Sequence, residues 1–460
     1  MSAGSSRIPV AIVTNWLGMG GTEKSLVSFA TTLDRERFDV RVVVVRGDGP
    51  RRPELDAAGI PTYVVDQDAD RLSAALGGVQ VAHVFRTGLT ERAVPAACRA
   101  AGVPHLIETN VFGRVDASSD EQQFDCHLFV GKMCAWRYRK RQDLWEPDFD
   151  ARHRVLHWPI DLKRLRALAP PREEAKRALG LDPSRPVVGR IGRADDTKWR
   201  RLLVDMVPDL VRLVPEAQVM LVGATADKRR RLRRLGFDDR VAFVDTTVDE
   251  KETVTRLAAC DVFITAAEIG ESYSVAISEA MALGLPVVSC STPWVDNGQI
   301  EQIDQGVTGH VADHPLAFAE ACADLLRDPE KAAAFGRAAA RKADLLMDRI
   351  VLTRQLESLY EAVVAGPLEP DPAWTPPPGE VDDFGAEYAR RLKRSFRPLS
   401  RRERGEVELA RRAEQLRWAW RAARKVDLRN PEFLLGTIRA RGQSVERALR
   451  QRVRKVGARS

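Results

Sequence analysis

Residues 268–288 read EIGESYSVAISEAMALGLPVV. An apolar run, 261–265, precedes them, and a second, 286–289, closes the stretch. Between the runs, Ser272-Tyr273-Ser274 is a polar, turn-like step and residues 275–283 have helical composition, ended by Gly284 and Pro286. Strand, loop, helix and strand in this order make one unit of a parallel sheet. Glu271 then lies in the loop at the strand's carboxyl end, and Glu279 two turns into the helix. A helix entered from such a loop offers free backbone N–H groups to an anion. A carboxylate just before it can accept hydrogen bonds from ligand hydroxyls. Taken alone, the two glutamates read more readily as an acidic loop and a solvated helix face.

The alternation continues on both sides. Short β-branched runs fall at 9–14, 40–45, 62–65, 79–85, 105–109 and 127–130, then at 186–191, 217–222 and 241–244. Nearly continuous apolar runs of this length suit strands buried on both faces. The pattern predicts an α/β chain of two Rossmann-like, doubly wound parallel-sheet domains facing a cleft. A charged stretch with Pro170-Pro171 separates the two series. The domains are expected over 1–165 and 166–349, with a helix at about 350–365 packing back on the first. A Pro-rich linker, 366–385, and a basic helical extension, 386–460, follow.

Two further segments sit where such sheets bind ligands, at strand carboxyl ends. Residues 189–199, GRIGRADDTKW, place Arg193 and Lys198 in a loop after a strand. Two cations there can hold a diphosphate, Arg bidentately and Lys as a point charge. They would also stabilise the charge that grows on a departing diphosphate. The same loop reads equally as a surface turn closed by salt bridges through Asp195 and Asp196. Residues 18–24, GMGGTEK, join the first strand to the first helix; this is no dinucleotide fingerprint, but Gly20 and Gly21 let a ligand approach the backbone closely.

The three segments, in this order, resemble the family 4 glycosyltransferases. The family pattern runs from G-G-x-E through G-R-x4-K-G to E-G-F-G-x4-E-A-M-A-x-G-x-P-V-V. Here it is Gly20-Gly21-Thr22-Glu23, Gly192-Arg193 with Lys198, and Glu271 to Val288. Trp158-Pro159-Ile160-Asp161 and Gly306-Val307-Thr308-Gly309 are weaker matches, and the resemblance covers about residues 8–365. It implies the glycosyltransferase B-type fold and metal-independent, retaining transfer of a sugar from a nucleotide donor to a glycan or lipid-linked acceptor, without a cofactor. Arg193 and Lys198 would bind the donor diphosphate, Glu279 the ribose and Glu271 the donor sugar. Backbone groups of Ser272, Tyr273 and Ser274 would line the pocket, and Gly20 and Gly21 would border it on the acceptor side. Ser272-Tyr273-Ser274 replaces the family's G-F-G and is expected to crowd that pocket. Asn110 stands where many members carry a histidine facing the reacting sugar; an amide donates a hydrogen bond but is no base. A sugar-nucleotide epimerase on the same fold and a non-catalytic scaffold remain open as other readings.

Composition bounds the rest. At 44% hydrophobic and 30% charged, the 460 residues read as globular. The six scattered cysteines read as reduced core thiols, and the seven histidines show no metal-ligand spacing. Residues 386–460 hold 23 Lys+Arg against 8 Asp+Glu, a surplus of 15 in a chain of net +7, so the remainder carries −8. The charge is thus a property of the tail. Leu409, Ala413, Leu416, Trp420 and Ala423 recur at helical spacing among arginines, with Trp418 alongside. Such a helix suits an anionic membrane surface, or else the acidic body of the chain itself. Nucleic acid is not an expected partner, since no recognition module accompanies the charge. No apolar run approaches a membrane span and no secretory leader is evident, which places the chain in the cytoplasm, within reach of the inner membrane face.

Overall fold

The computed structural model describes residues 7–88, 91–116, 119–142, 149–369, 380–393 and 395–424. Seven parallel strands form the first sheet: β1 (Ile8–Trp16), β2 (Phe38–Gly47), β3 (Thr62–Val64), β4 (Val81–Arg86), β5 (His105–Asn110), β6 (Cys126–Phe129) and β7 (His153–Val155). Their spatial order is β3-β2-β1-β4-β5-β6-β7. Six parallel strands form the second: β8 (Val187–Ile191), β9 (Gln218–Val222), β10 (Val241–Val244), β11 (Val262–Ile264), β12 (Val287–Ser289) and β13 (Gly309–Val311). Their order is β10-β9-β8-β11-β12-β13. Both sheets have helices on each face, as the buried β-branched runs require. In each, the order reverses beside the first strand, between β1 and β4 and between β8 and β11. That reversal opens the ligand crevice of a doubly wound sheet.

Six helices matter here: α1 (Gly21–Thr32), α2 (Lys132–Gln142), α3 (Val275–Ala282), α4 (Arg349–Ala365), α5 (Glu380–Arg391) and α6 (Arg401–Arg424). The two chain segments that run between the units lie side by side: Ile160 donates from its backbone to Met347 O at 2.8 Å, and Arg349 to Ile160 O at 3.0 Å. From there α4 returns to the first unit. Its Glu357 accepts from the Asp34 backbone and from Arg37, and the Tyr360 hydroxyl meets His83 Nδ1 at 2.7 Å. All six cysteines are free and buried.

Two expectations need correction. The sheets have two strands more than the apolar runs predicted, because the edge strands β7 and β13 are three residues each and carry polar side chains. The linker expected to 385 ends earlier: α5 begins at Glu380. The described part of the extension packs on the body of the chain. Tyr388 on α5 packs on Trp136 at 5.1 Å between ring centroids, and its hydroxyl accepts from Asn297 Nδ2 at 3.1 Å. Phe396 and Leu399 pack against the core of the second unit. On α6 the ionic side faces inward, with Glu403 and Glu414 buried, while Leu409 and Leu416 are 70% and 73% exposed. The side chains of Trp418 and Trp420, and everything beyond residue 424, lie outside the described residues.

Candidate functional site

The site forms where the carboxyl ends of the two sheets meet. Gly21 opens α1 against α3: a β-carbon added there would lie 2.8 Å from Val275 Cγ2. One turn in, Lys24 Nζ reaches Glu279 Oε1 of the second unit at 2.5 Å, with Glu250 at 3.9 Å. Burial alone would lower the Lys24 pKa, but the Glu279 charge and hydrogen bond outweigh it and raise the value above the ordinary one. Gly20 caps α1 with its carbonyl, which accepts from Lys24 N at 3.1 Å. Sequence spacing brought out Glu279 but not Lys24, whose partner lies 255 residues away.

After β8 the loop 192–198 behaves unlike a self-paired surface turn. Asp195 accepts from the Thr197 backbone and hydroxyl at 2.9 and 2.8 Å, and Asp196 accepts from Thr225 at 2.6 Å. Lys198 instead pairs with Glu271 at 2.9 Å, across to the loop after β11. Arg193 is exposed, and its carbonyl accepts from Trp199 Nε1 at 2.9 Å. The two loops are further joined by backbone: Ile269 donates to Thr197 O at 3.2 Å and Arg200 to Ala266 O at 2.9 Å.

Beneath this loop lies Arg190, unnoticed in the sequence. It is 3% exposed, its guanidinium is 4.3 Å from the Trp199 ring centroid, and Nη2 donates to Lys198 O at 2.8 Å. Its Nε and Nη1 have no hydrogen-bond partner among the described residues. Burial pulls its pKa down to about 10, opposed by Glu271. Its one signal in the sequence is an arginine inside a strand buried on both faces. Trp199, where the family pattern has glycine, supplies the ring that covers it.

The acidic loop holds a different shape from the one expected. Tyr273 is buried at the junction of the units, where its ring stacks on His157 at 4.5 Å and 20°. The Ser274 amide is not open to a ligand, since it donates to Gln302 Oε1 at 2.7 Å, while the Ser274 hydroxyl caps α3. Ser272 is buried, and the Glu271 amide donates to Gln299 at 3.2 Å. Across the junction, Glu301 accepts from the Lys132 and Met133 amides at 2.9 Å each and so caps α2 of the first unit.

Asn110 does not face an acceptor. It is fully buried, and its side chain braces a turn by donating to Arg114 O at 2.7 Å and accepting from Arg114 N at 3.3 Å. Beside it, Glu108, Glu121 and His127 have ligand atoms within 4.8 Å of one another. Sequence spacing gave no hint of this group. One cation serves three acids: Arg86 donates to Glu108 at 2.9 Å, Asp116 at 2.9 Å and Glu121 at 2.8 Å, His127 bonds Glu108 at 2.6 Å, and burial beside the Glu108 charge pushes the Glu121 pKa up to about 7. It is a buried ionic network centred on Arg86.

Facing doubly wound sheets with paired cations and acids at both switch points define the glycosyltransferase B-type arrangement. The comparisons agree. Residues 185–328 match the family model described as Glycosyl transferases group 1. The chain is 32% identical over 203 residues to the lipopolysaccharide core biosynthesis mannosyltransferase LpsB of Rhizobium meliloti, which covers 41% of this chain and 54% of that protein. It is 27% identical over 202 residues to spore coat protein SA of Bacillus subtilis, covering 41% and 52%. The chain thus spans about half the length of these relatives. In fold it is similar to Anabaena Alr3699/HepE, solved with UDP and glucose, at a TM-score of 0.63 and 18% identity over 77% of this chain and 100% of that one. A glycosyltransferase from Rickettsia africae gives 0.66 and 13% identity over 78% and 99%.

Proposed function

We propose that this protein transfers a sugar from a nucleoside-diphosphate donor to a glycan or lipid-linked acceptor, with retention of anomeric configuration. The observation that carries the reading is the Lys198–Glu271 pair beside exposed Arg193 in the second unit, together with the Lys24–Glu279 pair that joins the second unit to the first. Arg193 and Lys198 meet the diphosphate, Glu279 accepts from the ribose hydroxyls, and Glu271 accepts from the donor sugar. The bond from the anomeric carbon to the phosphate oxygen breaks as the bond to the acceptor oxygen forms on the same face. The acceptor proton passes to the leaving phosphate oxygen, so Asn110 need not be a base. The protein contributes alignment and fixed positive charge where negative charge grows. In this reading the two cations do the work for which other transferases use a divalent ion, and no cofactor is needed. Named relatives that act on lipopolysaccharide core and on phosphatidyl-myo-inositol support a lipid-linked or surface-glycan acceptor.

The test is a panel of UDP- and GDP-sugars supplied with membrane lipid extracts, following release of UDP or GDP. Release that requires the extract supports transfer. Interconversion of the donor without extract would support the epimerase reading, and no turnover of any donor would support the scaffold.

The outer side of α6 fits a peripheral membrane location, and among the described residues no helix is long and apolar enough to cross a bilayer. Leu409 and Leu416 are exposed beside Arg402 and Arg412, whose side chains are 88% and 71% exposed. Apolar and cationic side chains on one free face suit an anionic lipid surface. Vesicles containing phosphatidylglycerol should retain the full chain, and a Leu409→Glu/Leu416→Glu variant should be released from them.

A further inference from the structure

Helix α6 is fastened to both loops of the candidate donor site. Glu414, 4% exposed, accepts from Arg200 Nε at 3.0 Å through each carboxylate oxygen. Arg200, 3% exposed, lies two residues past Lys198. Its guanidinium is also 5.2 Å from the Trp294 ring centroid, and Nη1 donates to Ser291 O at 3.5 Å. Three residues further along α6, Arg417 Nε donates to Glu268 Oε1 at 3.3 Å. Glu268 begins the segment that leads to Glu271. Positions three apart share a helix face, so one face of α6 carries two ion pairs, one to each loop. The loops are themselves joined by the Thr197–Ile269 and Lys198–Glu271 contacts. A buried carboxylate such as Glu414 is tolerated only with a matched partner, and its partner is the residue that ends the cation-bearing loop.

We propose that α6 is a positioning element of the donor site: Glu414 and Arg417 hold the spacing between the loop that carries Lys198 and the loop that carries Glu271. The inference rests on reading this site as the nucleotide-sugar site. Neither residue touches the donor. They act through Arg200 and Glu268, and their loss lets the loops part, so that Arg193 and Lys198 of the one and Glu279 beyond the other no longer meet one nucleotide together.

Glu414→Ala strands a buried guanidinium and can unfold the chain, so the test is placed on Arg417, whose side chain is 39% exposed. UDP and GDP are titrated by calorimetry into the full chain, its Arg417→Ala and Arg417→Lys variants, and Arg412→Ala, with thermal unfolding measured in parallel. Arg417→Ala should weaken binding of whichever nucleoside diphosphate the unmodified chain takes by about threefold to tenfold, the scale of indirect coupling within a domain. Arg417→Lys should recover most of that loss. Arg412→Ala removes an equal charge from the exposed side of the same helix and should leave Kd unchanged. Unchanged Kd in Arg417→Ala, whatever happens to Tm, overturns the proposal, as does an equal loss in Arg412→Ala. If the unmodified chain binds neither UDP nor GDP, the reading of the site itself fails, a result distinct from the other two.

Discussion

Lys24, on the first turn of α1, donates across the junction of the two sheets to Glu279 on α3, with 2.5 Å between nitrogen and oxygen. The pair holds an acid of the second unit with a cation of the first. In the proposed reaction the same carboxylate accepts from the ribose, which must share it with Lys24 or displace it. Glu279→Ala should therefore weaken UDP or GDP binding by about tenfold, the scale of a hydrogen bond to a charged group. Lys24→Met should leave affinity no weaker, since it frees the acceptor. Calorimetry on both variants decides; an equal loss in the two would make the pair a mere strut between the units.

Arg190 gives a test in which stability and function move in opposite directions. Its guanidinium is buried and only partly partnered. Replacing a buried charge with an apolar chain of similar volume is often stabilising, by roughly 1–4 kcal/mol. Arg190→Met should raise Tm by several degrees and lower turnover at least tenfold, because it removes positive charge from beneath the diphosphate loop. Thermal unfolding and donor turnover measured on one preparation check both halves. A drop in Tm would show that the arginine serves packing alone.

The sheet architecture was legible because strands buried on both faces are apolar runs bounded by helices, and eleven such runs became strands of the two sheets. What stayed hidden depended on partners distant in the chain. Nothing near Arg190 announces that Trp199 folds over it. The 4,3 spacing of Leu409, Ala413 and Leu416 suggests an apolar inner face, yet α6 turns inward the side that finds Arg200 and Glu268. The acids Glu271 and Glu279 and the cations Arg193 and Lys198 were visible because their spacing follows one strand–loop–helix turn. Tyr273 and Asn110 were legible only in part: their positions were plain, but the direction of each side chain is set by His157 and by the turn at Arg114.

Gly21 is read as a close-approach glycine, and that too can be tested. A methyl group there meets Val275 Cγ2 at 2.8 Å, and valine is stiff about its first side-chain bond. Gly21→Ala should push α1 away from α3 and lower turnover with little change in Tm. Adding Val275→Ala should restore most of the lost rate. If the second substitution brings no recovery, the contact does not set the approach of the two units.

Acid should loosen the returning helix. His83 is buried between Tyr360 and Thr109, and burial pushes its pKa down to about 3. The unfolded chain binds the proton near the ordinary histidine value, so stability is full above about pH 6.5 and falls as pH drops towards 3. At pH 5 the loss is about 2 kcal/mol. Denaturant titrations at pH 7 and pH 5 should show this difference, and His83→Asn should remove most of it. An unaltered slope in the variant would assign the acid sensitivity to other groups.

The central claim is that Arg193, Lys198, Glu271 and Glu279 converge on one pyrophosphate-linked sugar. A crystal structure of the full chain with UDP or GDP tests it most directly. The account predicts the diphosphate within hydrogen-bond distance of Lys198 and Arg193, and the ribose hydroxyls on Glu279. A nucleotide bound elsewhere, with Lys198 still paired only to Glu271 and Lys24 to Glu279, would contradict it.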